Sequence, residues 1–255
     1  MITHNKPNPN VIPGFYEPNI YEYNIFTLPP SNEEYQYFEN VIHPSHVKEL
    51  IKMFKESNTY ENVSIHGLKD VNIGIGSKRT TMWSPELVDI FNKYYLKFLN
   101  KFKVTNEYSR TDSWQGLEYT KHRNMYWELQ CFSPMFRFMS YLDGGEHYAH
   151  YDAAYIYPDN RYRTLSSVVI YLTTNDSGCT RFINDHQDHI IQKERKNDDF
   201  SNRVDEKDVL KRFYPKSGSI LVFDHRVCHD VETFIPKTPD EERIIIRTDL
   251  IYKLV

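Results

Sequence analysis

Two spacings of apolar residues divide this chain. From Pro44 onward Val47, Leu50, Ile51 and Phe54 recur three and four positions apart, which is one face of a helix, and Ser45 stands where a cap belongs. A second helix is predicted from Ser84-Pro85-Glu86, with Ser84 as cap and Pro85 in the first turn. Its apolar face carries Leu87, Ile90, Phe91, Tyr94 and Phe98. Residues 77–83, between the two, read as extended. After about residue 125 the pattern becomes that of strands, predicted at 137–142, 148–151, 165–172, 180–183, 219–223, 229–234 and 243–251. They are short, and several are separated by Gly, Asn, Asp or Pro. This pattern predicts a mainly β protein with N-terminal helices (α+β). Its strands form an antiparallel sandwich or jelly roll, a double-stranded β-helix, supported by the helices.

The same reading divides the chain into three parts of one structural domain. Residues 1–40, rich in Pro, Asn and scattered aromatics, are expected to be an arm lying on the domain. Residues 41–125 form a helical support region, and 126–255 form the β core. Residues 184–211 are charged, with few apolar positions, and are expected to be a long loop of the kind that serves as a lid or binding loop.

Composition narrows the function classes. A net charge of -4 over 255 residues offers no basic footprint for nucleic acid. No apolar run is long enough to span a bilayer, and the first residues lack the apolar core of a signal peptide. The expectation is a cytoplasmic protein without a membrane partner, its oligomeric state left open. The 3 cysteines are widely spaced, which suits a reducing compartment and excludes a Cys-x-x-Cys zinc site. The abundance of Tyr, Ile, Asn and Lys is what an AT-rich coding sequence produces, so the 20 tyrosines are not read as a binding signature.

The candidate chemistry centres on His150-Tyr151-Asp152. A histidine and a carboxylate two apart on an extended chain point to the same side and offer one nitrogen and one oxygen to a divalent metal. One more histidine would complete the 2-His-1-carboxylate facial triad of non-haem Fe(II) oxygenases. By itself the triplet proves little, since chance supplies it roughly 0.7 times in a chain of this composition. A second copy, His186-Gln187-Asp188, does occur. The best third ligand is His229, at the head of a predicted strand after the turn Pro215-Lys216-Ser217-Gly218 and the apolar run 219–223. His225, four residues earlier, would pair with it as a zinc site only on a helix, and the surrounding pattern is that of strands. The plainer reading of His225 is a corner residue bonded to backbone. Further on, Arg243, Ile245 and Arg247 share one face of a strand while Ile244 and Ile246 share the other. An inward arginine needs a partner. That partner is either a ligand carboxylate held by two parallel hydrogen bonds or a local acid such as Asp249 or Glu241.

In this order the residues resemble the prolyl-4-hydroxylase-like branch of the 2-oxoglutarate- and Fe(II)-dependent dioxygenases. The resemblance runs through Tyr141, Gly144-Gly145, His150-Tyr151-Asp152, Ile170-Tyr171-Leu172-Thr173, Ser177-Gly178-Cys179-Thr180-Arg181-Phe182, Pro215-Lys216-Ser217-Gly218, His229 and Arg243. It covers roughly residues 130 to 252 and leaves His186-Gln187-Asp188 outside the pattern. It implies that His150, Asp152 and His229 ligate Fe(II). Arg243 would then hold the distal carboxylate of 2-oxoglutarate with help from the Tyr171 hydroxyl, while Tyr141 lines the cofactor pocket. The stretch from His229 to Arg243 is longer than the family's, through Pro236-Lys237-Thr238-Pro239-Asp240-Glu241. Arg247 is therefore the second choice for the anchor.

The function implied is a hydroxylase that consumes O2 and 2-oxoglutarate, releases succinate and CO2, and uses ascorbate as reductant. A protein or peptide side chain, proline first, is the expected substrate. The alternatives are a small-molecule hydroxylase on the same fold and a jelly-roll binding protein without turnover. A nucleic-acid demethylase finds no support in the charge.

Overall fold

Alternation along the strands sorts the apolar residues into two layers, and the sorting decides where the site lies. The computed structural model describes residues 26–27, 35–57, 60, 76–105, 125–152, 154–158, 161–184, 204–225 and 227–255. In chain order the elements are β1 (Phe26–Thr27), β2 (Tyr35–Glu39), α1 (Pro44–Glu56), β3 (Ser77–Trp83), α2 (Pro85–Tyr94), β4 (Phe102–Thr105), β5 (Met125–Phe132), β6 (Met135–Tyr141), β7 (His147–His150), β8 (Tyr162–Tyr171), β9 (Thr180–Ile183), β10 (Val209–Phe213), β11 (Ile220–Asp224), β12 (His229–Val231) and β13 (Arg243–Leu254).

Among the described residues the strands make two antiparallel sheets, the jelly roll the periodicity predicts. The larger, nine-stranded, runs β1-β2-β11-β8-β13-β5-β4, with β6 and then β3 branching from β13. The smaller, four-stranded, runs β10-β9-β12-β7. The long β13 is the axis of the larger sheet. One edge pairs with β8 over Ile245–Lys253, while the other pairs with β6 over Arg243–Arg247 and with β5 over Leu250–Leu254.

On β8, β11 and β13 every second residue, namely Val168, Ile170, Ile220, Val222, Ile244 and Ile246, packs outward against the helices. There they meet Val47, Leu50 and Phe54 of α1 and Leu87 and Phe91 of α2. The intervening residues Val169, Tyr171, Leu221, Phe223 and Ile245 face the smaller sheet, where they meet Phe182, Val231 and Phe234. Both faces of these central strands are thus covered, which explains their nearly unbroken apolar runs. Each buried Leu, Ile or Phe contributes about 2 kcal/mol by leaving water. No described helix is long and apolar enough to cross a membrane.

The helices follow their predicted faces, with one change of cap. Ser84 caps α2 as expected, accepting the Leu87 N–H at 3.2 Å. For α1 the cap is His43, whose Nδ1 accepts the Ser45 N–H at 3.2 Å, while Pro44 opens the first turn. Proline suits that position because its fixed φ is helical and its nitrogen has no hydrogen to satisfy. The Ser45 hydroxyl lies 2.7 Å from the same ring nitrogen.

Strand order adds what periodicity left out. Tyr35–Glu39, inside the expected arm, pairs with β11, and Met125–Phe132 forms β5 beside β13. Within 184–211, residues 206–208 form a 3-10 turn and the strand β10 begins at Val209. Most of that expected loop, most of residues 1–40, and the second triplet at 186–188 lie outside the described residues.

Candidate metal and cofactor site

β7 and β12 pair antiparallel with His150 directly opposite His229. Asp152 follows two residues after His150, and the three side chains bring one ligand atom each to within 4.8 Å of one another. His150 Nε2 lies 3.8 Å from Asp152 Oδ1, and His229 Nε2 lies 3.6 Å from Oδ2. Backbone fixes the tautomers. His150 Nδ1 is 2.7 Å from the Tyr148 carbonyl and His229 Nδ1 is 3.0 Å from the Val227 carbonyl, so each Nδ1–H donates there. Both Nε2 lone pairs are left facing the carboxylate, the arrangement a metal-binding histidine needs.

The electrostatics favour the ligating forms. Burial and then the neighbouring His229 push the His150 imidazole down to about 4, and burial also lowers His229. Both rings are therefore neutral at neutral pH. Burial alone would raise the Asp152 carboxyl, but Arg247 and the two imidazoles outweigh it and hold it well below the usual range. A neutral–neutral–anionic set of this kind fits a divalent ion that keeps open positions. His147, 7% exposed, joins the same cluster of rings. Burial, and then His150 and His229, hold it well below an ordinary histidine.

The two arginines of β13 have separate jobs. Arg247 Nη2 lies 2.9 Å from Asp152 Oδ1 and 2.9 Å from Asp249 Oδ1, and its Nη1 donates to Asp249 Oδ2 at 3.1 Å. Ser167 donates to Asp152 Oδ2 and accepts from Arg247 at 3.2 Å. Asp249 also meets His225 Nε2 at 3.1 Å and Arg137 at 3.5 Å. Arg247 thus gives both Nη groups to acids, one of them Asp152 itself, and only its Nε is left without a partner among the described residues.

Arg243 is fully buried and differently placed. Its guanidinium carbon covers the Tyr141 ring at 4.5 Å, and its Nη2 reaches Thr180 Oγ1 at 3.3 Å. Tyr171 donates to that same oxygen at 2.9 Å. The Nε and Nη1 groups of Arg243 are buried without a hydrogen-bond partner among the described residues. Leaving two charged donors unmet in the interior costs several kcal/mol. A carboxylate taking both would remove that cost. The four-residue step from Arg243 to Arg247 spans roughly 13 Å along one strand face. The unmet donors lie at one end of that step, and Arg247, which holds Asp152, lies at the other. The residues therefore fit both Fe(II) and 2-oxoglutarate.

Gly178 makes room for this arginine. Its φ is +67°, and a Cβ there would come within 2.9 Å of Arg243 Cδ. We expect Gly178→Ala to cost about 1 kcal/mol or more of stability from backbone strain. By displacing Arg243 it should also weaken 2-oxoglutarate binding roughly tenfold. Chemical denaturation and ligand titration measure the two effects.

Against the sequence reading, the structure brings His150, Asp152 and His229 into one cluster and gathers Arg243, Tyr171 and Tyr141 beside it. Of the two fates open to the arginines, Arg247 meets local acids, whereas Glu241 bonds Asn175 and the Lys237 backbone instead of Arg243. The His225 ring bonds the Asp249 carboxylate rather than backbone; only its main-chain N–H meets a backbone carbonyl, that of Leu165. The reading missed Thr180, Ser167 and His147 as members of the site. Thr180 carried a signal, as the threonine of the Gly-x-Thr segment. Ser167 carried none.

A jelly roll that clusters two histidines and a carboxylate beside a buried, unmet arginine defines a 2-oxoglutarate/Fe(II)-dependent dioxygenase. Comparison with known families agrees: residues 35–233 match the phytanoyl-CoA dioxygenase (PhyH) family, and the chain belongs to it. No curated protein matches the sequence. Among solved structures, a viral collagen prolyl hydroxylase from Paramecium bursaria Chlorella virus-1 in complex with 2-oxoglutarate is similar at 14% identity. That match covers 87% of this chain and 97% of the other, with a TM-score of 0.46. A prolyl hydroxylase from Trichoplax adhaerens, bound to a hypoxia-inducible-factor peptide, is 15% identical over 87% and 84%, TM-score 0.48. HygX from Streptomyces hygroscopicus, with nickel and 2-oxoglutarate, is 10% identical over 86% and 82%, TM-score 0.47.

Proposed function

We propose that this protein is a hydroxylase that holds Fe(II) on His150, Asp152 and His229 and 2-oxoglutarate on Arg243. The observation that carries the reading is the pair of buried, unmet guanidinium donors on the same strand face as the three-ligand cluster. In this reading Arg243 receives the distal carboxylate, with Thr180 and Tyr171 at its side and the Tyr141 ring beneath. Arg247 and Ser167 fix the Asp152 carboxylate. Met139, Val231 and Ile245 pack with Tyr141 and Tyr171 in the same buried layer. When bound, the metal and cofactor supply oxidation by O2, leaving succinate and CO2 and adding a hydroxyl to a substrate C–H.

For the substrate we favour a protein or peptide side chain, on the strength of the prolyl-4-hydroxylase-like order of residues from Tyr141 to Arg243. The family match supports a second reading, a small molecule, since the family is named for an enzyme of a coenzyme A thioester. Protein stripped of metal with a chelator is expected to form no succinate from 2-oxoglutarate. Fe(II) with ascorbate should restore it. Wild-type protein that neither binds 2-oxoglutarate nor forms succinate with Fe(II) present would sink the proposal. A gain of one oxygen, sought by mass spectrometry in peptides and in small molecules, separates the two substrate readings.

A further inference from the structure

Three imidazoles, not two, stand in a row at the site. The His147 ring lies 4.5 Å from that of His150, which lies 4.3 Å from that of His229. Positions three apart on a regular strand face opposite ways, but β7 is not regular here. His150 pairs with His229 and His147 with Val231, so the span of three residues on β7 faces a span of two on β12. A bulge of that kind re-aims a side chain, and it turns His147 to the side of His150.

The place it reaches is specific. Val231, its cross-strand partner, packs in the inner layer with Tyr141, Tyr171, Phe234 and Ile245, the residues around Arg243. His147 therefore stands beside the metal cluster, packed on the His150 ring, and it is not one of the three ligands. Its Nδ1 is buried and has no hydrogen-bond partner among the described residues. A phenyl ring would fill the same space and stack on His150 without leaving a polar atom unmet.

We propose that His147 is a cofactor-binding residue whose Nδ1 hydrogen bonds the metal-bound end of 2-oxoglutarate. This rests on the functional reading above. The geometry gives the group a task that the three ligands and Arg243 leave open, which is to fix the cofactor's rotation about its long axis. A nitrogen beside the ligand His150, on the strand of the smaller sheet, supplies the third point of contact.

The test uses the full chain loaded with Mn(II), and compares wild type, His147→Phe and His147→Gln. Metal affinity and 2-oxoglutarate affinity are titrated separately. His147→Phe should bind Mn(II) within twofold of wild type, which also shows that it has folded. Its Kd for 2-oxoglutarate should rise about tenfold, the loss of one hydrogen bond. His147→Gln, which keeps a donor and an acceptor, should recover most of that loss. Unchanged 2-oxoglutarate affinity in His147→Phe overturns the inference. So does an equal loss of metal affinity, which would show that the ring only supports His150. A wild type that binds Mn(II) but no 2-oxoglutarate overturns the functional reading itself, and the inference falls with it.

Discussion

Replacing Arg243 with methionine is expected to raise the Kd for 2-oxoglutarate roughly a hundredfold to a thousandfold, the cost of two charge-assisted hydrogen bonds. Methionine fills most of the arginine's volume and can lie on the Tyr141 ring, so the fold should survive. The parallel change at Arg247 should cost less than about tenfold in the same titration, because its fork is already committed to Asp152 and Asp249. Anaerobic titration of 2-oxoglutarate into the Mn(II)-loaded variants makes the comparison without turnover. A larger loss at Arg247 would show that the anchor has been placed four residues, two strand repeats, too early along β13.

Asp152→Ala should abolish succinate formation and weaken Mn(II) or Fe(II) binding by at least roughly a thousandfold. A single ion pair at 4 Å is already worth about 4 kcal/mol at an effective dielectric of 20, and a metal bond is shorter and involves a double charge. Two histidines remain, and the negative partner that balances the ion is gone. Arg247 would keep Asp249, so the buried cation is not left bare. The variant should therefore stay folded while losing metal. Metal affinity and succinate release, measured on the same preparation, check both halves. Asp152→Ala that binds Mn(II) like wild type would remove this carboxylate from the ligand set.

How much of this the chain declares depends on what each residue faces. The strand at 180–183 and the split of Arg243, Ile245 and Arg247 from Ile244 and Ile246 follow from alternation alone, because both faces are buried and a slip of one residue would exchange them. Alternation could not rank the two arginines. They share a face, and what separates them is Asp152, brought over from a strand end some ninety positions earlier. β2 escaped notice because Gln36 and Glu39 fall on opposite faces, which blurs a period of two, and β5 because Glu128 and Gln130 interrupt the face that carries Tyr126 and Phe132. His147 escaped for a sharper reason. Spacing in the sequence assigns it to the face opposite His150, and only a bulge, which has no signature here, brings the rings together.

The place of β7 in the smaller sheet carries one more consequence. That strand is the outermost of its four, bonded on one edge to the three-residue β12. With the ion held as proposed, His150 joins it from this outer strand and His229 from the next. The ion thus rivets an outer strand to its neighbour, and β7 can peel away only by giving up a ligand. Escape of the metal and fraying of the sheet edge become a single event. The lifetime of the loaded enzyme is then set by local unfolding of four residues rather than by the lability of any one bond to the ion.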